Sequence, residues 1–300
     1  MNDNNFLQNL IDQPQNIANL RFEDISKILK EAQSIFNEEE LLLEFKLLDK
    51  NEEVYVIGDI HGNLHSLLNI LEIIKKNRPK YIIFLGDIVD RGIRQLECLI
   101  IILALKILNP NRVFLLKGNH ETLEMNQYYG FFQEFVQKFN DQKRFKDILE
   151  VYNVLPFCAV INNKVLCLHG GIPEDKEILK KLKGLKHQNI NSAFKSVAEG
   201  LYQIIWNDPK EGLNGFSESF RGPGIKFFGE DVFNNFLKSN NLKYLIRAHE
   251  CFPEGYRWFF NNHLLSVFSS ANYRGAYSPN PASYAIVRND KIIPINIELS

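Results

Sequence analysis

Between residues 54 and 121 the chain alternates short apolar segments with longer helical patterns. Each apolar segment is rich in β-branched, leucine or aromatic residues and runs into a polar loop, and the three segments with their loops are VYVIGDIHGN (54–63), YIIFLGDIVDRG (81–92) and RVFLLKGNHE (112–121). Strands that alternate with helices at about 30-residue spacing are typical of a βαβαβ unit with parallel strands. Sites in such sheets form beyond the carboxyl ends of the strands, where all three loops carry their polar residues.

The composition predicts a globular chain without a strong electric field. Of the 300 residues, 45% are hydrophobic and 24% are charged, which is enough for one large α/β domain with a sizeable core. The 35 basic and 36 acidic residues leave a net charge of -1. Because no overall field attracts polyanions, we expect neither nucleic acid nor a membrane surface as a partner.

The cysteines and the apolar runs predict a soluble protein in a reducing compartment. None of the four cysteines forms a CxxC pair, and three of them lie in apolar runs, as buried thiols do. We therefore expect a cytoplasmic location, with the nucleus as the alternative. The longest apolar run, residues 98–108, contains Lys106 and is too short to span a bilayer. The N-terminus lacks the basic and apolar regions of a secretory signal.

Outside the alternating unit, the patterns predict further helices and strands. Residues 1–20 are rich in Asn and Gln, and we expect them to be a flexible lead-in. Helical spacing begins at Asp24, and a second short helix is predicted over 38–46. No linker separates two globular units, so we expect one domain over 21–300, with a helical lead-in at 21–50. The segment 122–153 is predicted to be helical, and strands are predicted at 243–250, 263–275, 282–289 and 291–299.

The loops after the apolar segments concentrate histidine and carboxylate side chains. Gly86 is followed within five residues by Asp87, Asp90 and Arg91. Buried carboxylates are costly unless they are paired or bind metal. For this loop alone a local explanation stays open, in which an aspartate caps a helix and pairs with the arginine. The other loops add Asp59, His61, Asn119, His120, His169 and His249.

These side chains form a ligand set for two metal ions. Imidazoles with carboxylates and an amide, and no thiolate, suit Zn, Fe or Mn. Asp59 and His61 lie two residues apart, on the same side of an extended segment, so both can reach one ion. A second ion requires a bridging carboxylate, and Asp87 is the natural bridge. The remaining ligands of the second ion would be Asn119, His169 and His249.

Two such ions favour phosphoester hydrolysis. Ions about 3.5–4 Å apart activate a water molecule and clamp the oxygens of an in-line displacement. Arg91 is a bidentate donor suited to phosphate. His120 follows a predicted ligand and can protonate the leaving alkoxide, with Asp90 on its other ring nitrogen.

Six motifs, in order along residues 23–299, resemble the phosphoprotein phosphatase (PPP) family of serine/threonine phosphatases. They are GDIHGN (58–63), GDIVDRG (86–92), GNHE (118–121), HGG (169–171), RAHE (247–250) and SSANYRG (269–275). The resemblance implies a metallophosphoesterase fold of the α/β layered class, with a central β-sandwich of two mixed sheets flanked by helices. It implies that residues 21–300 are one catalytic domain.

The same resemblance implies the metal and acid roles given above and adds two residues. Arg221, in FRGPG, matches a second phosphate-binding arginine, and Tyr273, in SSANY, matches a tyrosine over the active site. We therefore expect the substrate to contact Arg91, Asn119, Arg221 and Tyr273. The expected reaction is hydrolysis of phosphoserine and phosphothreonine in proteins, with two metal ions (Mn, Fe or Zn) and with regulatory subunits as further partners.

Two alternatives remain open from the sequence. The same chemistry serves small-molecule phosphoesterases, such as dinucleoside polyphosphate hydrolases. A catalytically inactive scaffold that binds phosphoproteins is the other alternative, and the intact set of ligands, acid and arginines argues against it.

Overall fold

Two mixed β-sheets form the centre of the fold in the computed structural model, which describes residues 3–275 and 277–298. The α-helices are α1 (Asn4–Asp12), α2 (Phe22–Asn37), α3 (Leu64–Asn77), α4 (Gln95–Leu108), α5 (Leu123–Tyr129), α6 (Phe131–Phe139), α7 (Lys146–Tyr152), α8 (Ile178–Leu182), α9 (Ile190–Trp206) and α10 (Glu230–Ser239). The strands are β1 (Leu42–Phe45), β2 (Val54–Ile57), β3 (Tyr81–Phe84), β4 (Val113–Leu115), β5 (Cys158–Ile161), β6 (Val165–Leu168), β7 (Asp208–Pro209), β8 (Phe216–Glu218), β9 (Lys226–Phe228), β10 (Tyr244–Arg247), β11 (Tyr256–Phe259), β12 (Leu264–Val267), β13 (Ala282–Arg288) and β14 (Lys291–Ile297).

The five-stranded sheet contains the predicted βαβαβ unit. Its strand order is β14-β13-β2-β3-β4, and the pairs β2–β3 and β3–β4 are parallel. Helices α3 and α4 connect these parallel strands, as the alternating pattern predicts. The six-stranded sheet has the order β1-β5-β6-β10-β12-β11 and mixes parallel and antiparallel pairs. A small three-stranded sheet, β7-β9-β8, lies apart from both.

The two large sheets pack face to face through an apolar layer. In β2, Val54 and Val56 belong to this layer, whereas Tyr55 and Ile57 belong to the cluster shared with the helices. This alternation follows from the two-residue period of a strand, which sends successive side chains to opposite faces. The six-stranded sheet supplies the facing residues, such as Leu265. The predicted central β-sandwich with helices outside is confirmed.

Helices cover the outer face of each sheet. Helix α4 is apolar on all sides and is buried between the five-stranded sheet and helices α1, α2 and α6. Within it, the fully buried Lys106 ion-pairs with Glu39 and donates a hydrogen bond to the Pro110 carbonyl at 2.8 Å. Helices α8, α9 and α10 cover the other sheet with a separate apolar cluster. None of the helices in the described ranges is long and apolar enough to cross a bilayer.

Two predictions about the first 46 residues are wrong. Residues 4–12 form helix α1 and 14–19 a 3₁₀-helix, and the segment is not a flexible lead-in because Leu7 and Leu10 are buried against the cluster that contains α4. The helix predicted over 38–46 is replaced by strand β1, which pairs with β5 in parallel. A short apolar run such as LLLEF does not distinguish a strand from a helix by its spacing. The helix predicted from Asp24, the helical segment 122–153 and the strands near the C-terminus are confirmed.

Candidate active site

The predicted ligands meet at one end of the sandwich. Asp59, Asp87 and Asn119 follow strands β2, β3 and β4 of one sheet, and His169 and His249 follow strands β6 and β10 of the other. The site is therefore built from both sheets at the carboxyl ends of their strands. The ionisable side chains among these residues are almost completely buried.

The first group of ligand atoms surrounds the Nε2 atom of His61. This atom lies 3.5 Å from Asp59 Oδ2 and 3.6 Å from Asp87 Oδ2. The other ring nitrogen, Nδ1, lies 2.9 Å from the Val89 carbonyl, which fixes the ring and leaves Nε2 facing the carboxylates. Burial disfavours the charged ring, yet the Asp59 and Asp87 carboxylates outweigh it and raise the pKa of His61 to about 9.

The second group surrounds the Nε2 atom of His169. This atom lies 2.9 Å from Asn119 Oδ1, 3.4 Å from Asp87 Oδ2 and 3.1 Å from His249 Nδ1. The Nδ1 atom of His169 lies 3.1 Å from the Leu85 carbonyl, which fixes the ring and leaves Nε2 facing the other ligand atoms. Burial, followed by the nearby charges of Arg221 and His169, lowers the pKa of His249 well below its ordinary value. A neutral ring is the form of histidine that binds metal.

The described residues fit a pair of metal ions. Asp87 belongs to two sets of three residues, and within each set the candidate ligand atoms lie within 4.8 Å of one another. One set is His61, Asp87 and His120, and the other is Asp87, His169 and His249. The buried Asp59 Oδ2 has no hydrogen-bond partner among the described residues, which is costly for a carboxylate oxygen unless a cation binds there. Burial opposes ionisation of Asp87, yet the His169 and His120 rings outweigh it and lower its pKa.

His120 is held by Asp90 rather than turned fully toward the ligand groups. Its Nδ1 atom lies 2.7 Å from Asp90 Oδ2, and its Nε2 atom lies 3.9 Å from Asp87 Oδ2. The completely buried Asp90 also accepts hydrogen bonds from the Asn126 side chain at 2.8 Å and from the Phe131 N–H at 3.1 Å. Nothing in the sequence pattern indicates this role for Asn126, because one polar residue in an amphipathic helix is usually exposed.

The local explanation of Asp87 and Asp90 as a helix cap and an ion pair is not supported. Helix α4 begins at Gln95, and no side chain caps its N-terminus. Among the described residues, neither carboxylate forms an ion pair with Arg91.

Glu121 joins the loop after β3 to the loop after β4. Its buried carboxylate accepts hydrogen bonds from the backbone N–H groups of Asp87, Ile88 and Gly118 at 2.9, 3.0 and 2.8 Å. The loops approach so closely that a Cβ atom on Gly118 would lie 2.2 Å from Asp87 Oδ1. These three hydrogen bonds hold the backbone on either side of Asp87 and Gly118 in place.

Several site residues have left-handed backbone conformations. The φ angles of His61, Asp87, Asp90, Arg91 and His249 are 46°, 53°, 68°, 73° and 69°. Such angles are uncommon for residues other than glycine, and they concentrate at functional sites where surrounding contacts hold them. Here they form the sharp turns that direct side chains from the strand ends into one site.

Arg91 and Tyr273 lie on the open side of the site. The exposed Arg91 guanidinium stacks on the Tyr129 ring at 3.5 Å, and that ring lies 5.0 Å from the His120 ring. Tyr273 stacks on His61 at 5.1 Å. Both residues line a cavity of about 670 Å³ together with His61.

Arg221 reaches the site beside the second ligand group. Its Nε donates to Asp208 Oδ2 at 2.5 Å, and Asp208 Oδ1 lies 4.0 Å from His249 Nε2. The completely buried Arg247 donates to the same carboxylate at 2.8 Å and to Glu250 at 2.7 Å. Asp208 therefore links the loop of Arg221 to the strand end of His249.

This site defines a class of protein, the metal-dependent phosphoesterases, because one buried carboxylate joins two groups of imidazole, carboxylate and amide ligands. A family model described as calcineurin-like phosphoesterase matches residues 53–253. The chain belongs to this family.

The chain is also similar to serine/threonine-protein phosphatases. It is 36% identical over 243 residues to the serine/threonine-protein phosphatase 4 catalytic subunit of Kluyveromyces lactis, covering 80% of this chain and 76% of that protein. The corresponding protein of Saccharomyces cerevisiae is 35% identical, with 79% and 75% covered. The phosphatase rdgC of Drosophila melanogaster is 36% identical over 81% of this chain, but the chain spans only 38% of that protein.

A solved structure has the same fold. It is a protein serine/threonine phosphatase from Saccharomyces cerevisiae with similarity to human phosphatase PP5, and it matches with a TM-score of 0.81 at 29% identity over 94% of this chain and 91% of that one. The predicted resemblance to the PPP family, the metallophosphoesterase fold and the assignment as an enzyme of the protein phosphatase type are confirmed by these relatives.

Proposed function

We propose that this site hydrolyses phosphoserine and phosphothreonine in proteins. The observation that carries the proposal is the arrangement around Asp87, which lies between two ligand groups and next to the His120–Asp90 pair. The similarity to two yeast protein phosphatase 4 catalytic subunits supports protein substrates rather than small molecules. Exposed apolar side chains near the site, such as Ile93 and Phe220, also suit contact with a polypeptide.

Two metal ions complete the proposed site. Asp59, His61 and Asp87 would hold one ion, and Asp87, Asn119, His169 and His249 the other. The oxygen and nitrogen donors suit Mn, Fe or Zn. When bound, such ions supply positive charge for the phosphoryl oxygens and lower the pKa of a water nucleophile.

The side chains of the chain itself bind the phosphoryl group and deliver a proton. Arg91 and Arg221 each offer a guanidinium to the phosphoryl oxygens, and the Asn119 amide and Tyr273 complete the substrate contacts. His120 donates a proton from Nε2 to the leaving serine or threonine oxygen. Asp90 supports this step because it holds Nδ1 and so fixes the ring.

The remaining parts of the proposal concern the whole chain. Residues 21–300 act as one catalytic domain, and helix α1 packs on it through Leu7 and Leu10. The partners are phosphoprotein substrates and regulatory subunits, as the printed name "catalytic subunit" of the yeast relatives implies. A cytoplasmic or nuclear location suits the four free cysteines, three of which are buried.

Substrate competition tests the proposal. Purified protein loaded with Mn²⁺ is given a phosphoserine peptide and diadenosine tetraphosphate at equal concentration, and both products are followed. We expect the peptide to be the better substrate in kcat/KM. Preference for the dinucleotide would refute the choice of substrate and support a small-molecule phosphoesterase. Failure to hydrolyse p-nitrophenyl phosphate as well would instead indicate an inactive scaffold.

A further inference from the structure

Two fully buried carboxamides lie one turn apart at the C-terminal end of helix α9. They belong to Gln203 and Asn207, neither of which is a ligand, an acid or an arginine of the proposed site. The Asn207 N–H donates to the Gln203 carbonyl at 2.9 Å, so helical spacing extends to Asn207 and places the two side chains on one face. Buried amides need hydrogen-bond partners, and those partners show what the two side chains hold in place.

One set of partners belongs to the β6 loop, the loop that begins with His169 directly after strand β6. Gln203 Oε1 accepts a hydrogen bond from the Glu174 N–H at 2.8 Å, and Gln203 Nε2 donates to the Glu174 carboxylate at 2.8 Å. Asn207 Nδ2 donates to the Ile172 carbonyl at 2.9 Å. Both amides therefore hold the backbone that leads away from a predicted metal ligand.

The other set of partners belongs to the β8–β9 hairpin, whose turn carries Arg221. Gln203 Nε2 also donates to the Gly224 carbonyl at 3.3 Å. Asn207 Oδ1 accepts a hydrogen bond from the Lys226 N–H at 2.7 Å, at the start of strand β9. Each of the two side chains therefore joins the β6 loop to the outgoing arm of the hairpin.

The β6 loop and the β8–β9 hairpin are also closely packed. A Cβ atom on Gly171 would lie 2.3 Å from the Phe228 ring and 2.7 Å from the Asn207 carbonyl oxygen. The Arg221 guanidinium is anchored to Asp208, the residue after Asn207. One short stretch of chain thus holds both the backbone of the hairpin and the side chain of its arginine.

Burial alone does not explain how these hydrogen bonds are divided. It requires only that the amides be hydrogen-bonded, and partners within one loop would meet that requirement. Both amides instead divide their hydrogen bonds between the loop of the second ligand group and the hairpin of the proposed phosphate-binding arginine. An arginine binds phosphate through hydrogen bonds of defined geometry, so a small shift of the hairpin would weaken that contact.

We propose that Gln203 and Asn207 are positioning residues for phosphate binding that act through Arg221. The proposal rests on the proposed function, which takes Arg221 as a ligand of the phosphoryl group. Neither amide touches the substrate. Together they set the place of the guanidinium relative to the second ligand group, so their loss weakens phosphate binding and leaves the metal content unchanged.

Calorimetric titration of the Mn²⁺-loaded protein with inorganic phosphate tests the proposal. A double-mutant cycle compares Gln203→Met, which removes the amide but keeps the length of the side chain, with Arg221→Ala and with the double variant. Asn207→Ser is the milder second variant, and it decides the outcome if Gln203→Met does not fold. The matched control is Asn162→Gly, which removes a carboxamide that accepts from the Leu47 N–H at 2.8 Å, before strand β6 and at its opposite end from the β6 loop. The φ angle of 53° at this position suits glycine.

We expect Arg221→Ala to weaken phosphate binding about 10- to 150-fold, the range for hydrogen bonds to a charged group. Gln203→Met and Asn207→Ser should each weaken it about 3- to 10-fold, the range for neutral hydrogen bonds, because the arginine remains but is displaced. In the Arg221→Ala background, Gln203→Met should change the Kd by less than about twofold, because its effect passes through the missing guanidinium. The control variant should bind phosphate like the wild type.

The proposal is wrong if Gln203→Met weakens phosphate binding equally with and without the arginine, or if neither Gln203→Met nor Asn207→Ser weakens it. Unchanged binding in Arg221→Ala, weakened binding in the control, or loss of bound metal in Gln203→Met or Asn207→Ser would also overturn it. Phosphate binding does not depend on the leaving group. Failure to hydrolyse a phosphoserine peptide would therefore refute the proposed function and leave the result of this cycle intact.

Discussion

Replacing Asp90 with asparagine tests the role of the His120–Asp90 pair. The amide preserves the shape of the side chain, but only one of its two terminal atoms is an oxygen that accepts hydrogen bonds. It therefore cannot accept all of the hydrogen bonds that the carboxylate accepts from His120, Asn126 and Phe131. A hydrogen bond to a charged group contributes about 1.5–3 kcal/mol. Solvent does not screen this hydrogen bond appreciably, because the side chains of His120 and Asp90 are only 7% and 0% exposed. We therefore expect kcat on a phosphoserine peptide to fall roughly 10- to 150-fold.

The leaving group distinguishes this role from a structural one. The alkoxide of serine needs a proton when it leaves, whereas p-nitrophenolate is stable without one. Asp90→Asn should therefore reduce kcat much less on p-nitrophenyl phosphate than on the peptide. His120→Asn should show the same difference with a larger loss on the peptide, about 10²- to 10⁴-fold. The control is Asp147→Asn, which makes the same change at a carboxylate that accepts a hydrogen bond from Ser26 away from the site. An equal loss on both substrates, or loss of bound metal, would refute the reasoning.

Two further predictions concern the metal site and the core. Asp87→Asn should lower the metal content, measured by plasma mass spectrometry, from two ions per chain to less than one, and retention of two would disprove the bridge. Lys106→Met leaves the Glu39 carboxylate buried without its cation and should lower the free energy of unfolding, measured with urea, by about 3–5 kcal/mol. The double variant Glu39→Leu/Lys106→Met should leave the free energy of unfolding nearly unchanged. Because burial raises the pKa of Glu39, the folded state favours its protonated form, so the single variant should lose stability as the pH rises above the ordinary glutamate value of about 4.5. Equal losses in the single and double variants, or a loss independent of pH, would contradict this account.

The positions of the ligands were predictable because they depend on strand ends. An apolar run of four or five residues predicts a buried strand, and parallel strands place their following loops at one edge of a sheet. Asp59, Asp87 and Asn119 follow three such strands of one sheet, so their proximity needs only the βαβαβ pattern. His169 and His249 come from the other sheet, and no local pattern relates the two sheets. For these two histidines the sequence signal was that each follows an apolar segment, and the six-motif resemblance implied the same placement.

The residues that hold the site residues in place were harder to predict, because their contacts depend on backbone geometry. Glu121 accepts hydrogen bonds from three backbone N–H groups, and backbone donors have no sequence signature. Asn126 meets Asp90 only because helix α5 turns one polar face toward the site. The left-handed turn at Arg91 is likewise invisible in the sequence, because arginine has no preference for this conformation.

The errors near the N-terminus have a different physical origin. Helix α1 contains only a few apolar residues among asparagines and glutamines, and its stability comes from burying Leu7 and Leu10 in the cluster of α4. Strand β1 forms because its backbone pairs with that of strand β5. In both cases a tertiary contact overrides the weak local preference, so a single sequence does not reveal the outcome.

The division of the site between two sheets has a consequence for its rigidity. The residues proposed for the first ion all come from the five-stranded sheet, whereas two of those proposed for the second ion, His169 and His249, come from the six-stranded sheet. The spacing within the first group is therefore fixed by backbone pairing between β2 and β3. The spacing within the second group depends on how the two sheets pack, and that packing is an apolar layer without hydrogen bonds of fixed length. Two contacts across the sheets compensate for this: the His249 N–H donates to Asp59 at 3.0 Å, and His169 contacts the Leu85 carbonyl at 3.1 Å. On the proposed assignment of the ligands, the inner apolar layer would determine metal geometry as well as stability, because any shift between the sheets moves one half of the second ligand group relative to the other.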